Sequence, residues 1–118
     1  PLHFLLLNER EIEAFSPGCQ PQDLLSLAEM VIVKMGKEGA KAFTKCGEFF
    51  QPAYRVSARD STGAGDAFDA GFLLSFLRSK DIPQSLKEGN RLGAYVASHI
   101  GAQPDFKENQ NEEVREDD

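Results

Sequence analysis

The residues of this chain whose types and spacing can do chemistry lie in Asp60-Ser61-Thr62-Gly63-Ala64-Gly65-Asp66. Two carboxylates, two hydroxyls and two glycines stand directly before a long apolar stretch that reads as a helix. A helix N-terminus presents unpaired backbone N–H groups and the positive end of the helix dipole. Small residues at Gly63, Ala64 and Gly65 let an anion approach those groups closely, so a phosphate fits there on physical grounds alone. Asp66 falls in the first turn. As a neighbour it repels a phosphate, but it can take the proton from a hydroxyl that attacks one. Plainer roles remain open from the residues alone, with Asp60 as a turn residue and Asp66 as an acid complementing the dipole.

Competing motifs are excluded by spacing. Gly36-Lys37-Glu38-Gly39-Ala40-Lys41 lacks the Gly-x-x-x-x-Gly-Lys-Ser/Thr order of a P-loop, and no third glycine follows Gly63-Ala64-Gly65 as a dinucleotide fingerprint requires. Twelve residues from Asp60 end on Gly71, where a calcium loop needs a bidentate Glu. Cys19 and Cys46 are far apart, and His3 and His99 are isolated. No zinc spacing exists, and a disulfide framework is not expected; reduced thiols of a cytoplasmic protein are.

The elements that must position the loop alternate. Leu2–Leu7 reads as a strand, and Asn8-Glu9-Arg10-Glu11 has the shape of a capping box opening a helix through Phe15. Ser16-Pro17-Gly18 breaks it, and Pro21 opens a second helix to about Glu29, with Leu24, Leu25, Leu27 and Ala28 as its apolar face. Met30–Met35, Ala40–Lys45 and Glu48–Gln51 read as strands, with 36–39 as a turn; Tyr54–Ala58 alternates and reads as a fourth short strand of this group. A helix from Ala64 or Gly65 to about Lys80 is apolar nearly all round, which suits the interior of a larger protein. Phe68, Phe72 and Phe76 along it read as core. Pro83 opens a last helix to about Ile100, stopped by Gly101. This order is α/β, with a partly parallel sheet and helices on its faces.

Composition bounds the partners. The 118 residues carry 13 Lys and Arg against 19 Asp and Glu, a net charge of −6. Residues 107–118 hold six of the acids and two of the bases, so the body is nearly neutral and the tail is acidic. The tail reads as a solvated end or a surface helix. An acidic chain without a basic face argues against nucleic acid. No apolar run reaches the roughly 18 residues of a membrane span, and Leu2–Leu7 lacks the basic flank of a signal peptide.

Asp60-Ser-Thr-Gly-Ala-Gly-Asp-Ala-Phe-Asp-Ala-Gly-Phe72 resembles the C-terminal signature of the ribokinase-like (PfkB) carbohydrate kinases. Asn8-x-x-Glu11 after an apolar strand, Val31-Ile-Val-Lys-Met-Gly36-x-x-Gly39-Ala, and Asn90 through Gly101-Ala-Gln-Pro104 resemble three further elements of that family in the same order. The resemblance spans residues 2 to 105. It implies the C-terminal part of a three-layer α/β/α sandwich with a mostly parallel sheet. Residues 1–106 would be the nucleotide-binding and catalytic part, and 107–118 the acidic tail. Asp66 would be the general base on a primary sugar hydroxyl, with the N–H groups of Gly63, Ala64, Gly65 and Asp66 as an anion hole for the transferring phosphoryl. Asn8 and Glu11 would help hold Mg²⁺ and phosphate through water; as a bare sequence the pair reads first as a cap, and both roles can coexist. Asp60 and Thr62, with a carbonyl near Gly101, match positions that help bind a monovalent cation such as K⁺. Gly36 and Gly39 would let the backbone approach ATP, and Asn90 would flank the adenine. The family often has Thr where Lys34 stands, so Lys34 would offer a charge in place of a hydroxyl.

Family members run to about 300 residues, and their sugar contacts come mostly from the N-terminal half, which this chain does not match. The expectation is therefore an ATP-dependent carbohydrate kinase, fructokinase-like by first choice. This chain, starting at Pro1, would be its C-terminal fragment, inactive by itself and prone to associate through an open sheet edge. The sugar would be bound mainly by the missing part, with no nucleic acid or membrane partner, and homodimer formation is an expectation for the full-length protein. A nucleoside kinase of the adenosine type is the alternative within kinases; a non-catalytic nucleotide-binding module is the alternative outside them.

Overall fold

The structure is a computed structural model and describes residues 2–55, 63–100 and 115–116. Strand β1 (Leu2–Asn8) leads into helix α1 (Glu9–Phe15), a 3₁₀ segment (Pro21–Ser26) and β2 (Ala28–Lys34). A 3₁₀ turn (Gly36–Glu38) then leads into β3 (Ala40–Thr44) and β4 (Gly47–Gln51). The short β5 (Tyr54–Arg55) is followed by α2 (Ala64–Ser79), α3 (Ile82–Tyr95), a π-helical turn (Val96–Ile100) and β6 (Arg115–Glu116).

The main sheet has the order β1-β2-β3-β4. β1 and β2 are parallel, while β2–β3 and β3–β4 are antiparallel. The sheet of the described residues is thus mixed, against the mostly parallel sheet that the resemblance implies. The reason is connection length. A helical crossover separates β1 from β2, whereas only Lys45 and Cys46 separate β3 from β4, and a parallel return needs a dozen residues or more.

Alternation along β2 sends side chains to opposite faces and so makes three layers. Met30 and Ile32 pack with Phe68, Phe72 and Leu86 of α2 and α3. Val31 and Val33 pack with Ile12 of α1 and Leu24 of the 3₁₀ segment. Phe68, Phe72 and Phe76 stack along α2, and Phe4 of β1 meets Phe72 and Phe76 edge-on, as their reading as core requires.

The segment after Pro21 departs from the sequence expectation. It is a single 3₁₀ stretch ending at Ser26, not a helix to Glu29. The Leu27 carbonyl accepts the N–H of Leu2 at 3.0 Å, and Ala28 is already in register with Leu2. Pairing with β1 therefore claims the backbone that a longer helix would need. The last helix also changes character, passing at Val96 into a π turn. Two residues of the acidic tail, Arg115 and Glu116, pair antiparallel with Tyr54 and Arg55, where the sequence implies a solvated end or surface helix. Both cysteines are free. Among the described residues no helix is long and apolar enough to cross a membrane.

Helices α2 and α3 approach backbone to backbone, because glycines stand where they touch. A Cβ at Gly71 would lie 2.8 Å from the Glu88 carbonyl oxygen, and one at Gly89 would lie 2.7 Å from the Phe68 ring. One at Gly93 would lie 3.0 Å from the Ala64 carbonyl oxygen, so α3 buttresses the first turn of α2. Gly71→Ala should therefore lower the urea or thermal unfolding midpoint. Overpacking costs about 1–3 kcal/mol, and the gain in helix propensity of roughly 0.8–1 kcal/mol offsets only part. An unchanged or raised midpoint would show that the two helices separate freely.

Candidate active site

Helix α2 starts without a side-chain cap. Its N-cap, Gly63, is in the left-handed conformation at φ 84° and has no side chain to offer. The other two α-helices of the described residues are capped: Asn8 accepts from Glu11 N in α1, and Asp81 accepts from Gln84 N in α3. The first intrahelical bond in α2 runs from Ala67 N to Gly63 O at 3.0 Å. The amides of Ala64, Gly65 and Asp66 therefore lack intrahelical acceptors. Gly63, Gly65 and Asp66 are exposed and Ala64 is half-buried, so this donor cluster faces solvent. Asp66, the third residue of the helix, stands beside it.

The parallel strands bring three further sequence candidates to the same end of the sheet. Asn8 and Lys34 are register partners at the C-terminal ends of β1 and β2. In open α/β sheets ligands bind outside such strand ends. Asn8 and Glu11 form a complete capping box: Asn8 Oδ1 accepts from Glu11 N at 2.7 Å, and Glu11 Oε1 accepts from Asn8 N at 2.9 Å. The cap is real, and both side chains remain exposed. The Lys34 ammonium reaches the start of α2, where a Cβ on Gly65 would lie 3.7 Å from its Nζ. It is held there by Asp69, whose Oδ1 accepts at 2.9 Å.

Gly36 has left-handed φ of 58° and open space where a side chain would be. Gly39 differs. At φ 120° a Cβ would run into the Gln51 carbonyl, with Ala53 N and Pro52 Cα at 2.9 Å, so its lack of a side chain is filled by the chain's own backbone. Asn90 is buried at 9% and holds the same stretch, donating Nδ2 to Gln51 O at 3.1 Å and Pro52 O at 3.0 Å. Gly39 and Asn90 thus bracket residues 51–53 from two sides. Asp60, Thr62 and Gly101, the candidate cation positions, lie outside the described residues.

Sequence reasoning missed Asp69. Its signal was present, since it follows Asp66 by three residues and so shares that side of the helix. It also missed the pairing of His99 with Tyr95 at the end of α3. His99 stacks on Tyr95 with ring centroids 4.3 Å apart, and its Nδ1 lies 3.0 Å from the Tyr95 carbonyl oxygen within the π turn. Val96 of that turn lies 3.7 Å from where a Gly63 Cβ would be, so the end of α3 adjoins the start of α2. On α3 itself, the Glu88 hydrogen bond and charge raise the Arg91 pKa above its ordinary value.

An uncapped helix start carrying an acid, beside a lysine at a parallel strand end, is an arrangement chemically able to take an anion and a proton. Residues 2–109 match the family model described as pfkB family carbohydrate kinase. The chain belongs to the PfkB family. Among its relatives, an ATP-dependent ribose-1-phosphate kinase of Halopiger xanaduensis is 41% identical over 73 residues, 62% of this chain and 25% of that protein. A ribokinase of Bacillus subtilis is 32% identical over 102 residues, 85% of this chain and 34% of that protein. The crystal structure of ribokinase from Thermotoga maritima superposes with a TM-score of 0.78 at 30% identity, covering 92% of this chain and 41% of that one. This PfkB chain has the ribokinase fold, and it spans between about a quarter and two fifths of the length of these relatives.

Proposed function

We propose that the protein carrying this chain transfers the γ-phosphoryl group of ATP to a primary hydroxyl of a small sugar or sugar acid. The observation that carries this reading is the start of α2, where uncapped amides at Ala64, Gly65 and Asp66 adjoin the Asp66 carboxylate. Those amides would take up negative charge on the transferring phosphoryl, and Asp66 would accept the hydroxyl proton as the new O–P bond forms and ADP departs. Lys34 would add a positive charge on the strand side. Gly36, Gly39 and Asn90 would shape the nucleotide side, Gly39 and Asn90 by fixing residues 51–53.

Magnesium would be held at this end of the sheet through water. Among the described residues no group of three or more His, Cys, Asp or Glu side chains could ligate an ion. Asn8 and Glu11 are hard-oxygen side chains whose cap already uses one carboxylate oxygen, so ATP phosphates and water would supply the inner ligands. Such an ion supplies charge neutralisation on the phosphates. A monovalent cation at Asp60, Thr62 and the Gly101 carbonyl belongs to the same reading, as does a cytoplasmic location.

The acceptor would be gripped by the rest of the full-length protein. Fructose is the sequence-based choice. Relatives named for ribose 1-phosphate, ribose, 2-dehydro-3-deoxygluconate and 5-dehydro-2-deoxygluconate widen the panel. A nucleoside acceptor is the second reading, favoured by a superposition on a Methanocaldococcus jannaschii nucleoside kinase at TM-score 0.76 and 26% identity. The test is ADP formation by the intact protein with Mg²⁺, ATP and each of these acceptors, adenosine and inosine included. Turnover of a sugar or sugar acid well above the nucleosides supports the proposal. Preference for a nucleoside overturns the acceptor, and no acceptor-dependent ADP formation with any of them overturns the kinase.

A further inference from the structure

We propose that Asp69 is the positioning residue of the phosphoryl-transfer site, fixing the Lys34 ammonium over the first turn of α2. The inference rests on the kinase reading above and goes beyond it by assigning a residue outside the anion hole. Three observations converge. Lys34 Nζ is 2.9 Å from Asp69 Oδ1, with side chains only 17% and 32% exposed. The same Nζ lies 3.7 Å from where a Gly65 Cβ would stand, at the edge of the uncapped amides. Asp66 and Asp69 are three residues apart on one helix, so one side of α2 presents both acids to this spot.

The charge arrangement gives the pair a purpose. A phosphate at the amides of Gly63 to Asp66 would meet the Asp66 carboxylate, and on the protein's side the helix dipole offsets it by only about 0.3–1 kcal/mol at an exposed terminus. Lys34 supplies a full positive charge. A free lysine side chain, however, spreads over many rotamers, and fixing it costs on the order of 1.5–2 kcal/mol of entropy. An ion pair formed before the anion arrives holds the ammonium in advance. Asp69 therefore acts through Lys34. It is itself an acid and would repel phosphate if Lys34 were absent, which separates this role from direct binding.

The test compares Asp69→Ala, Asp69→Glu, Lys34→Met and the Asp69→Ala/Lys34→Met double variant of the intact protein. Each is checked for wild-type circular dichroism. With a turned-over acceptor, Asp69→Ala should lower kcat about tenfold, the scale of one charge-assisted hydrogen bond, while KM for the acceptor stays put. Asp69→Glu should restore most of the loss. In the Lys34→Met background Asp69→Ala should cost nothing further or even improve ATP binding, because the residual carboxylate then only repels. A second readout needs no turnover: the ¹⁵N ammonium signal of Lys34 in NMR should shift on adding ATP, and that response should disappear in Asp69→Ala. A purely structural ion pair would lower the melting temperature, leave kcat within twofold, and leave the Lys34 signal indifferent to ATP; that result overturns the inference. If the Lys34 signal responds to ATP while no acceptor is turned over, the kinase reading fails and the positioning of Lys34 for an anion stands.

Discussion

Asp66→Asn in the intact protein should lower kcat by roughly 10²–10⁴, the usual worth of general-base assistance, with little change in the unfolding midpoint. Magnitude separates the two roles that Asp66 can have. As an acid in the first turn of α2 it complements the helix dipole, worth about 0.3–1 kcal/mol at an exposed end. A loss of 10²–10⁴ in rate is about 2.7–5.4 kcal/mol of transition-state free energy. A dipole partner alone cannot produce it, and a base can. The substitution is isosteric and keeps a polar side chain at the exposed third position of α2. It also removes a negative charge beside the bound phosphate, so ATP affinity should hold or rise as kcat falls. That combination is diagnostic, since a general disturbance of the anion hole would weaken ATP and rate together. Turnover within a few-fold of wild type would remove Asp66 from the chemistry.

The parts of this site written within a few residues of one another were legible in the sequence. The Asn8–Glu11 box needs only a three-residue spacing, and both of its hydrogen bonds are present. The start of α2 at Ala64 followed from Gly63 and from the apolar stretch behind it, and the Phe68, Phe72 and Phe76 series was readable as core from its four-residue spacing. What the sequence hid depends on strand register and helix approach. Lys34 meets Asp69 across 35 positions only because β2 ends beneath the first turns of α2. The resemblance places Asn90 beside the adenine, and nothing in its neighbours along the chain shows what its amide binds. It is buried, and its amide is spent on the carbonyls of Gln51 and Pro52, 39 and 38 positions away. Gly39 looked like a concession to a ligand, and its bare Cα is instead filled by residues 51–53. The 3₁₀ stretch ending at Ser26 was misread because Leu24 to Ala28 has the apolar content of a helix, while the pairing of Leu2 with Ala28 cannot be seen from residues 21–29 alone.

The 118-residue chain by itself should form no ADP with any acceptor and should self-associate, whereas the longer protein should be active and monodisperse. The open surfaces argue for this. β1 is one of the two outer strands of the main sheet and is paired on one side only among the described residues. Its sequence is Leu-His-Phe-Leu-Leu-Leu-Asn, and such an apolar edge templates pairing with another chain. Helix α2 turns its other side outward, leaving Leu74 56% and Leu77 64% exposed, three residues apart and so on one face. Fully burying a leucine is worth about 1.5–3 kcal/mol, so covering the exposed parts of these two adds roughly 2–4 kcal/mol to any contact made there. This chain matches only 22–41% of the length of these relatives, so a protein of their length would have further chain with which to cover such surfaces. A phosphoryl-transfer site must also hold the acceptor in line and keep out water. On the proposed reading the described residues would supply the anion hole, the base and a lysine at one end of the sheet, and the acceptor contacts would come from the rest of the longer protein. Size-exclusion chromatography with light scattering should show the isolated chain above its monomer mass of 13.0 kDa. Leu74→Gln/Leu77→Gln should lower that association without restoring activity. A monomer of the isolated chain that unfolds cooperatively would mean that the β1 edge and the α2 face are self-sufficient, and sugar-dependent ADP formation by it would place the acceptor site within these residues.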